Sequence, residues 1–214
     1  MTKKDLKRIW GKVPADYYEK GIKTHRFQFI WHNAKWRTMK KIFEKINPAP
    51  GKILDIGSAA GHITSKIAKN FPNATVFGLD SYGLAIKLGK KIHPEINFKI
   101  GDAHKLPFDN NSFDLVICIE TLEHLENPTK ALAEIKRVLK KKGKVLIGQD
   151  TNNWQFKLIW FFWTKTRGRV WAGAHINPQS TKLLEKLIKK TGFVIILKKF
   201  SQAGLEVFFL GEKK

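Results

Sequence analysis

The sequence predicts an α/β fold: a seven-stranded, mostly parallel sheet with helices on both faces and a last strand that is antiparallel. Three observations support this prediction. From residue 52 onward, short apolar runs alternate with segments of helical periodicity, which favours β–α–β units with right-handed crossovers. A run of very small residues follows the first apolar run, in LDIGSAAGHIT at 54–64. The chain ends on two apolar runs joined by a short turn, which is typical of a β-hairpin.

Length and composition indicate a folded domain with a full core. The 214 residues are 43% hydrophobic, and no linker divides them, so we expect one domain, 51–214, preceded by a helical extension, 1–50. Cys118 is the only cysteine, which excludes an internal disulfide and a cysteine-based metal cluster, and no metal ligands are predicted. The charged amino terminus leads into no apolar stretch, and the longest apolar run, 158–163, is too short to span a bilayer. These features predict a cytoplasmic protein.

The chain is strongly basic. Its 40 Lys and Arg residues against 18 Asp and Glu residues give a net charge of +22. Such an excess favours an RNA partner or peripheral contact with an anionic membrane. The lysines are scattered through the chain, however, so they can equally serve solubility alone.

The first long element is a helix at 25–46. Its apolar residues recur at helical spacing and predict one buried face. That face is Phe27, Ile30, Trp31, Ala34, Thr38, Ile42, Phe43 and Ile46. The sequence NPAPG at 47–51 then ends the helix.

Strands and helices alternate from there. Strands are predicted at 52–57, 74–80, 96–102, 112–120 and 144–150, and the first two are followed by helices at 62–70 and 82–91. Asn127 and Pro128 supply a helix cap and a first-turn proline. The helix that they open is expected to end just before Gly143 and to bury Ala131, Leu132, Ile135, Val138 and Leu139.

The carboxyl-terminal part predicts one more helix and the hairpin. The helix covers 178–191 and is expected to bury Leu183, Leu184, Leu187 and Ile188. The hairpin strands are 193–200 and 205–212, joined by SQAG.

The small residues 57–61 lie where the first strand ends and a helix begins. They let a ligand approach main-chain amides, and the helix amino terminus adds a positive dipole end. Dinucleotides and S-adenosylmethionine both bind such turns. A dinucleotide site wants glycine at the first, third and sixth positions, here Gly57, Ala59 and His62, so the histidine argues against it. Small residues at alternating positions, Gly57, Ala59 and Gly61, favour S-adenosylmethionine. Alanine tolerates such a turn only at negative φ, so we expect the φ of Ala59 to be negative.

Several motifs in order resemble the class I S-adenosylmethionine-dependent methyltransferases, in particular the enzymes of quinone biosynthesis and related small-molecule enzymes. The resemblance covers residues 50–214 and implies a Rossmann-like sheet, S-adenosylmethionine as cofactor and S-adenosylhomocysteine as product. The motifs are LDIGSAAG, VFGLD, GDAHKLPF, FDLVICIETLEHL, EIKRVLKKKGKVLIG and HINPQSTKLLEKLIKKTGF.

The resemblance implies a set of cofactor-binding residues. They are Asp55, Gly57, Ser58, Ala59, Gly61, Asp80, Ser81, Asp102, Ala103 and Glu120. Asp80 would accept hydrogen bonds from both ribose hydroxyls, and Asp102 with Ala103 would face the adenine. Asp55 and Glu120 would place negative charge near the ammonium and sulfonium of the methionine end. Alternatives remain: Asp80 can cap the next helix, Asp102 can belong to an ordinary turn, and Asp55 can anchor the loop through backbone amides.

Methyl transfer is an in-line displacement, so the protein must mainly align the reactants and exclude water. A base is needed only where the acceptor loses a proton, and His124 and His175 are the candidates, with capping or packing as the alternative for His124. The segment 120–123, ETLE, lacks the Asn/Asp-Pro-Pro-aromatic motif typical of base-amino methylation. Cys118 lies in an apolar strand, which argues against methylation of pyrimidine carbon 5.

An aromatic and basic segment within 151–177 is expected to lie on the acceptor side. Its seven aromatic residues and four cations are Trp154, Phe156, Trp160, Phe161, Phe162, Trp163, Trp171, Lys157, Lys165, Arg167 and Arg169. A lid over the pocket, an apolar acceptor site, a membrane contact and stacked nucleotides all fit this composition. Because the aromatic residues are consecutive rather than spaced for successive bases, the site for an apolar acceptor is the favoured interpretation, followed by membrane contact and then by RNA binding. The helix carrying Trp31 and Trp36 is expected to close over the same pocket.

The sequence therefore predicts an S-adenosylmethionine-dependent methyltransferase with a small, apolar or lipid-like acceptor. An RNA methyltransferase and a non-catalytic protein of the same fold are the alternatives. The acceptor atom and the oligomeric state stay open.

Overall fold

The computed structural model describes residues 13–166 and 168–214, so residues 1–12 of the predicted extension and Arg167 lie outside the described residues. The helices are α1 Tyr17–Thr24, α2 Arg26–Phe43, α3 His62–Asn70, α4 Gly83–Ile92, α5 Pro128–Val138, α6 Trp154–Lys165 and α7 Thr181–Lys190. The strands are β1 Lys52–Ile56, β2 Thr75–Asp80, β3 Asn97–Ile100, β4 Phe113–Ile119, β5 Leu139–Asp150, β6 Phe193–Ser201 and β7 Glu206–Lys213. Short 3₁₀ turns lie at Leu122–His124, Arg169–Trp171 and Gln202–Gly204.

The seven strands form one sheet in the order β3-β2-β1-β4-β5-β7-β6. Strands β1 to β5 pair in parallel, and β7 is antiparallel to both of its neighbours. The predicted Rossmann-like sheet with a carboxyl-terminal hairpin is thus confirmed. Strand order reverses between β1 and β4, and ligands of such sheets bind at this switch, beyond the carboxyl ends of the strands.

Helices cover both faces of the sheet. Val116 and Cys118 of β4 belong to the core cluster that includes α5 and α7, whereas Leu115 and Ile117 belong to the cluster that includes α2, α3 and α4. Because both faces are covered, the strand is continuously apolar from Leu115 to Ile119 rather than alternating.

One predicted helix ends earlier in the structure, and another buries fewer of its leucines than predicted. Helix α5 ends at Val138 instead of near Gly143, because Leu139 already pairs with Phe113 as the first residue of β5. Leu183 was expected to be buried but is 46% exposed. It lies in the first turn of α7, a helix in which Leu184 and Ile188 are buried and Leu187 packs half-buried against the core.

The predicted buried face of the amino-terminal helix is also wrong in part. Phe27 and Ile30 are exposed, and the residues of α2 that are buried are Gln28, His32, Lys35, Met39, Ile42 and Phe43. The inward face of α2 passes over the edge of the sheet where the cavities described below lie, and there polar side chains point inward. In the described part of the chain, no helix combines the length and apolar character needed to cross a membrane.

Candidate functional site

A cavity of about 460 Å³ lies at the switch in strand order, beyond the ends of β1, β2 and β4. Every predicted cofactor-binding residue except Gly61 lines it: Asp55, Gly57, Ser58, Ala59, Asp80, Ser81, Asp102, Ala103 and Glu120. The turn after β1 therefore faces open space, and the sheet brings the predicted acids to the same cavity.

The two glycines of the turn have both conformational and packing roles. Gly57 and Gly61 adopt φ values of 79° and 97°, which disfavour other residues. A Cβ at Gly57 would lie 2.1 Å from Oγ1 of Thr121, and one at Gly61 would lie 2.5 Å from Cζ of Phe98. Gly61 thus allows close packing behind the turn instead of lining the cavity.

Ala59 contradicts the expectation of a negative φ, since its φ is 47°. Its amide donates a hydrogen bond of 2.9 Å to Oδ2 of Asp80. A left-handed conformation costs an alanine about 1–2 kcal/mol, and a hydrogen bond to a charged acceptor contributes about 1.5–3 kcal/mol. The bond to Asp80 therefore suffices to hold Ala59 in this conformation.

Asp80 joins the turn to the start of α4. Its Oδ1 accepts a 2.8 Å hydrogen bond from the amide of Tyr82, the residue that precedes α4, while Oδ2 binds Ala59. Burial raises the pKa of Asp80, against the opposing effect of these backbone hydrogen bonds. Each oxygen can accept a second bond, so the capping role does not prevent ligand binding.

Asp55 and Asp102 are each held by a neighbouring side chain. The hydroxyl of Thr64 on α3 donates to Oδ2 of Asp55 at 2.6 Å, and burial raises the pKa of Asp55 to about 7. Asp55 is therefore anchored by the side chain of Thr64 and not, as the alternative interpretation had it, by backbone amides of the loop. Oδ1 of Asp102 lies 2.7 Å from Nδ1 of His104. Because Nε2 of His104 accepts a bond from the amide of Asn127, Nδ1 is the donor to Asp102.

A second, smaller cavity of about 120 Å³ adjoins the first. Tyr18, His32, Glu120 and His124 line both cavities. Its walls come from α1, α2, α6 and the turn at 169–171 and are mostly aromatic: Tyr17, Tyr18, Phe27, Trp31, Phe156, Ile159, Trp160, Trp163 and Trp171. Trp36 lies elsewhere and packs against Phe43 with a centroid distance of 6.0 Å.

The two predicted catalytic histidines meet at the aromatic cavity, with ring centroids 5.0 Å apart. Nδ1 of His124 donates to the carbonyl of Ala174 at 2.8 Å, and His175 stacks on Trp160 at 4.2 Å. Burial lowers the pKa of both rings, that of His175 to about 3. Both imidazoles are therefore neutral at pH 7. Their catalytic role remains a prediction.

Sequence reasoning missed a buried ion-pair network. Lys35 of α2 is 1% exposed, and its Nζ lies 2.5 Å from Oε2 of Glu120 and 3.4 Å from Oε1 of Glu206. Burial favours a neutral Lys35, but the two carboxylates raise its pKa. Burial also raises the pKa of Glu206 to about 8. At Glu120 burial acts in the same direction, but the Lys35 charge, the nearby His32 and the hydrogen bond from Lys35 together lower the pKa to about 2.

The sequence does contain a weak indication that Lys35 is buried. Lys35, Met39 and Ile42 follow the i, i+4, i+7 spacing of a buried helix face, but a lysine at such a position is usually assigned to solvent. Two further buried acids at the aromatic cavity, Glu123 and Asp150, carry no signal of their own in the sequence.

The chain is similar to known methyltransferases in both sequence and fold. Residues 54–147 match the model of a methyltransferase domain. A demethylmenaquinone methyltransferase from Lactobacillus johnsonii is 30% identical over 202 residues, covering 84% of this chain and 82% of that protein. The enzyme of the same name from Thermotoga maritima is 26% identical, and the alignment covers 99% of this chain and 97% of that protein. A solved methyltransferase structure from Thermotoga maritima, 21% identical, superposes with a TM-score of 0.67 over 92% of this chain and 98% of that one.

Proposed function

Because the chain belongs to the class I methyltransferases that use S-adenosylmethionine as cofactor, we propose that it methylates a small, lipid-like acceptor whose reacting end enters the aromatic cavity. The observation that carries this proposal is the aromatic cavity itself, which adjoins the larger one through shared lining residues. The bound cofactor supplies the activated methyl group. The chain must hold both partners in line and exclude water.

The larger cavity fits the cofactor. Its volume of about 460 Å³ lies within the usual range of small-molecule sites, about 300–1,000 Å³. We assign Asp80 to the ribose hydroxyls and Asp102, fixed by His104, to the adenine. Asp55 and Glu120 supply negative charge for the methionine end. The backbone of the turn at 57–59 and Ser81 are assigned to contacts with the rest of the cofactor.

The acceptor assignment has two supports. Relatives are named for substrates with lipid character, demethylmenaquinone and phthiotriol dimycocerosates among them. The walls of the smaller cavity are aromatic, which suits an apolar or ring-shaped group. His124 and His175 lie at this cavity, and we assign them to contact with the reacting end of the acceptor.

Incubation of the protein with methyl-labelled cofactor and a short-chain demethylmenaquinol is expected to give label that partitions into organic solvent. Trp160→Ala should raise the acceptor KM about tenfold or more, since it removes a wall of the cavity, and should leave cofactor affinity unchanged. Trp36→Ala, outside the cavity, is the matched control and should keep the wild-type KM. Label in RNA instead of lipid when total cell extract is the substrate would overturn the assignment.

We also propose that the protein approaches an anionic membrane through α2 and α6, which both line the aromatic cavity. Exposed apolar side chains lie on both helices: Phe27, Phe29, Ile30, Trp154, Leu158, Phe161 and Phe162. The two helices touch where Phe27 meets Trp163, at a centroid distance of 5.8 Å. Exposed cations accompany them, Arg26 on α2 and Lys157 and Lys165 on α6. Apolar side chains flanked by cations favour the surface of an anionic bilayer.

Co-sedimentation with phospholipid vesicles tests the membrane contact. We expect stronger binding to vesicles with anionic lipid than to neutral vesicles, and about a tenfold loss in the double variant Phe161→Ser/Phe162→Ser. The variant Lys90→Ser, at an exposed site on α4, is the control and should bind as wild type does. Equal binding by wild type and the double variant would contradict the proposal, as would RNA binding with a steep salt dependence and none to vesicles.

A further inference from the structure

Three side chains with metal-binding atoms converge at the aromatic cavity. Glu123 and His124 lie in the 3₁₀ turn after β4, and His175 precedes α7. One ligand atom from each lies within 4.8 Å of the others. All three residues line the smaller cavity, and His124 also lines the larger one, so the group lies where the two cavities meet.

The carboxylate of Glu123 is an independent observation that points to a ligand. Glu123 is 1% exposed, and among the described residues neither of its oxygens has a hydrogen-bond partner. A buried polar group without a partner is costly, and a buried carboxylate normally pairs with a cation or binds a metal. Lys35, a buried cation near this region, is already paired with Glu120 and Glu206.

One of the two histidines is held as metal ligands usually are, and the other has a carboxylate near it, beyond hydrogen-bond distance. Nδ1 of His124 donates to the carbonyl of Ala174 at 2.8 Å, so in the neutral ring Nε2 carries the lone pair. Nδ1 of His175 lies 3.6 Å from Oδ2 of Asp150. A carbonyl or carboxylate behind the imidazole is the typical outer contact that orients a metal-binding histidine.

We propose that Glu123, His124 and His175 bind one divalent transition-metal ion between the two cavities. Two imidazoles and one carboxylate suit Zn²⁺, Mn²⁺ or Fe²⁺ better than Mg²⁺ or Ca²⁺, which prefer all-oxygen sites. Three protein ligands leave at least one position open, as in catalytic metal sites. The sequence assigned no metal because His175 is remote from the Glu-His pair and no short motif joins them.

The chemical role of the ion rests on the proposed function. An acceptor hydroxyl that enters the aromatic cavity can occupy the open position, where the ion lowers its pKa so that the hydroxyl gives its proton to solvent as the acceptor binds, before water is excluded. The two histidines then act as ligands rather than as bases. The acceptor favoured by this site carries a hydroxyl on or beside the atom that is methylated.

Metal titration of the full chain, without acceptor or cofactor, tests the site directly. After treatment with a chelator, we expect Co²⁺ to bind one per chain with a visible absorption band, and Zn²⁺ to displace it. Glu123→Gln and His175→Ala should each weaken binding at least tenfold while S-adenosylhomocysteine affinity, measured by calorimetry, shows that both variants are folded. Glu95→Gln removes an exposed carboxylate beside His93, a second Glu-His pair, and should bind Co²⁺ as wild type does.

Two outcomes would overturn the metal site: no saturable Co²⁺ binding, or equal binding by wild type and the Glu123 and His175 variants. Methyl transfer to the lipid acceptor that continues undiminished in chelator would also refute a role for the ion and leave the proposed function standing. Tight metal binding without any methylated lipid would instead refute the proposed acceptor and leave the site intact.

Discussion

Replacing Lys35 with methionine is expected to lower the free energy of unfolding by about 3–5 kcal/mol, the usual cost of leaving a buried charge without its partner. The side chain is 1% exposed and lies between Glu120 and Glu206, of which Glu206 is fully buried. Methionine fills a similar volume, so the loss reflects the missing charge more than a cavity. Urea unfolding followed by circular dichroism measures it.

A matched control and a rescue variant separate charge from packing. Lys40→Met lies on the same helix at an exposed position and should change the free energy of unfolding by less than about 0.5 kcal/mol. Glu120→Gln combined with Lys35→Met should recover part of the loss, because Glu120, whose low pKa keeps it ionised, is the carboxylate that loses its partner. If Lys35→Met and Lys40→Met are equally stable, the network does not hold α2 on the sheet.

Asp80→Ala is expected to raise the Kd for S-adenosylhomocysteine about 100-fold or more. The proposed contacts are two hydrogen bonds from ribose hydroxyls to a charged acceptor, each contributing about 1.5–3 kcal/mol, and 1.4 kcal/mol is a factor of ten. The variant also releases the amides of Ala59 and Tyr82, so the turn that faces the cofactor loses its support. Calorimetric titration gives the affinity.

Two comparisons make the Asp80 result interpretable. Asp109→Ala removes an exposed carboxylate that lines neither cavity and should bind S-adenosylhomocysteine as wild type does. Asp80→Asn keeps one acceptor oxygen and should lose less affinity than Asp80→Ala. Wild-type affinity in Asp80→Ala would mean that Asp80 does not bind the ribose and that the turn faces the cofactor without its support.

The larger cavity was accessible to sequence reasoning because its signals are local. The turn at 57–61 directly follows β1, Asp80 is the last residue of β2, and parallel pairing of the two strands brings these ends to one edge. The amides of Gly57 and Ser58 both donate to the carbonyl of Leu79, which places the turn beside Asp80. The conformation of Ala59 was missed because it depends on a hydrogen bond across that edge. The packing role of Gly61 was missed because its contact, Phe98, lies on another strand.

The position of the aromatic residues was predicted in kind but not in detail. Four aromatic residues of α6 and its following turn line the smaller cavity beside the larger one, and Trp31 of α2 joins them. Composition could not say that Phe27 and Ile30 face outward while Lys35 faces inward, because hydrophobic periodicity assumes an apolar interior. Near a binding site the interior holds polar groups, and the rule fails there.

By itself, the amino-acid sequence determined the order of strands and helices, the carboxyl-terminal hairpin and the cofactor turn, since periodicity and small residues at strand ends are properties of short segments. Only the tertiary structure decided that Lys35 pairs with Glu120 and Glu206 and that Glu123, His124 and His175 meet at one cavity. These side chains come from elements far apart in the chain. Their charges and lone pairs interact over a few ångströms, a proximity that only the packed sheet and its covering helices create.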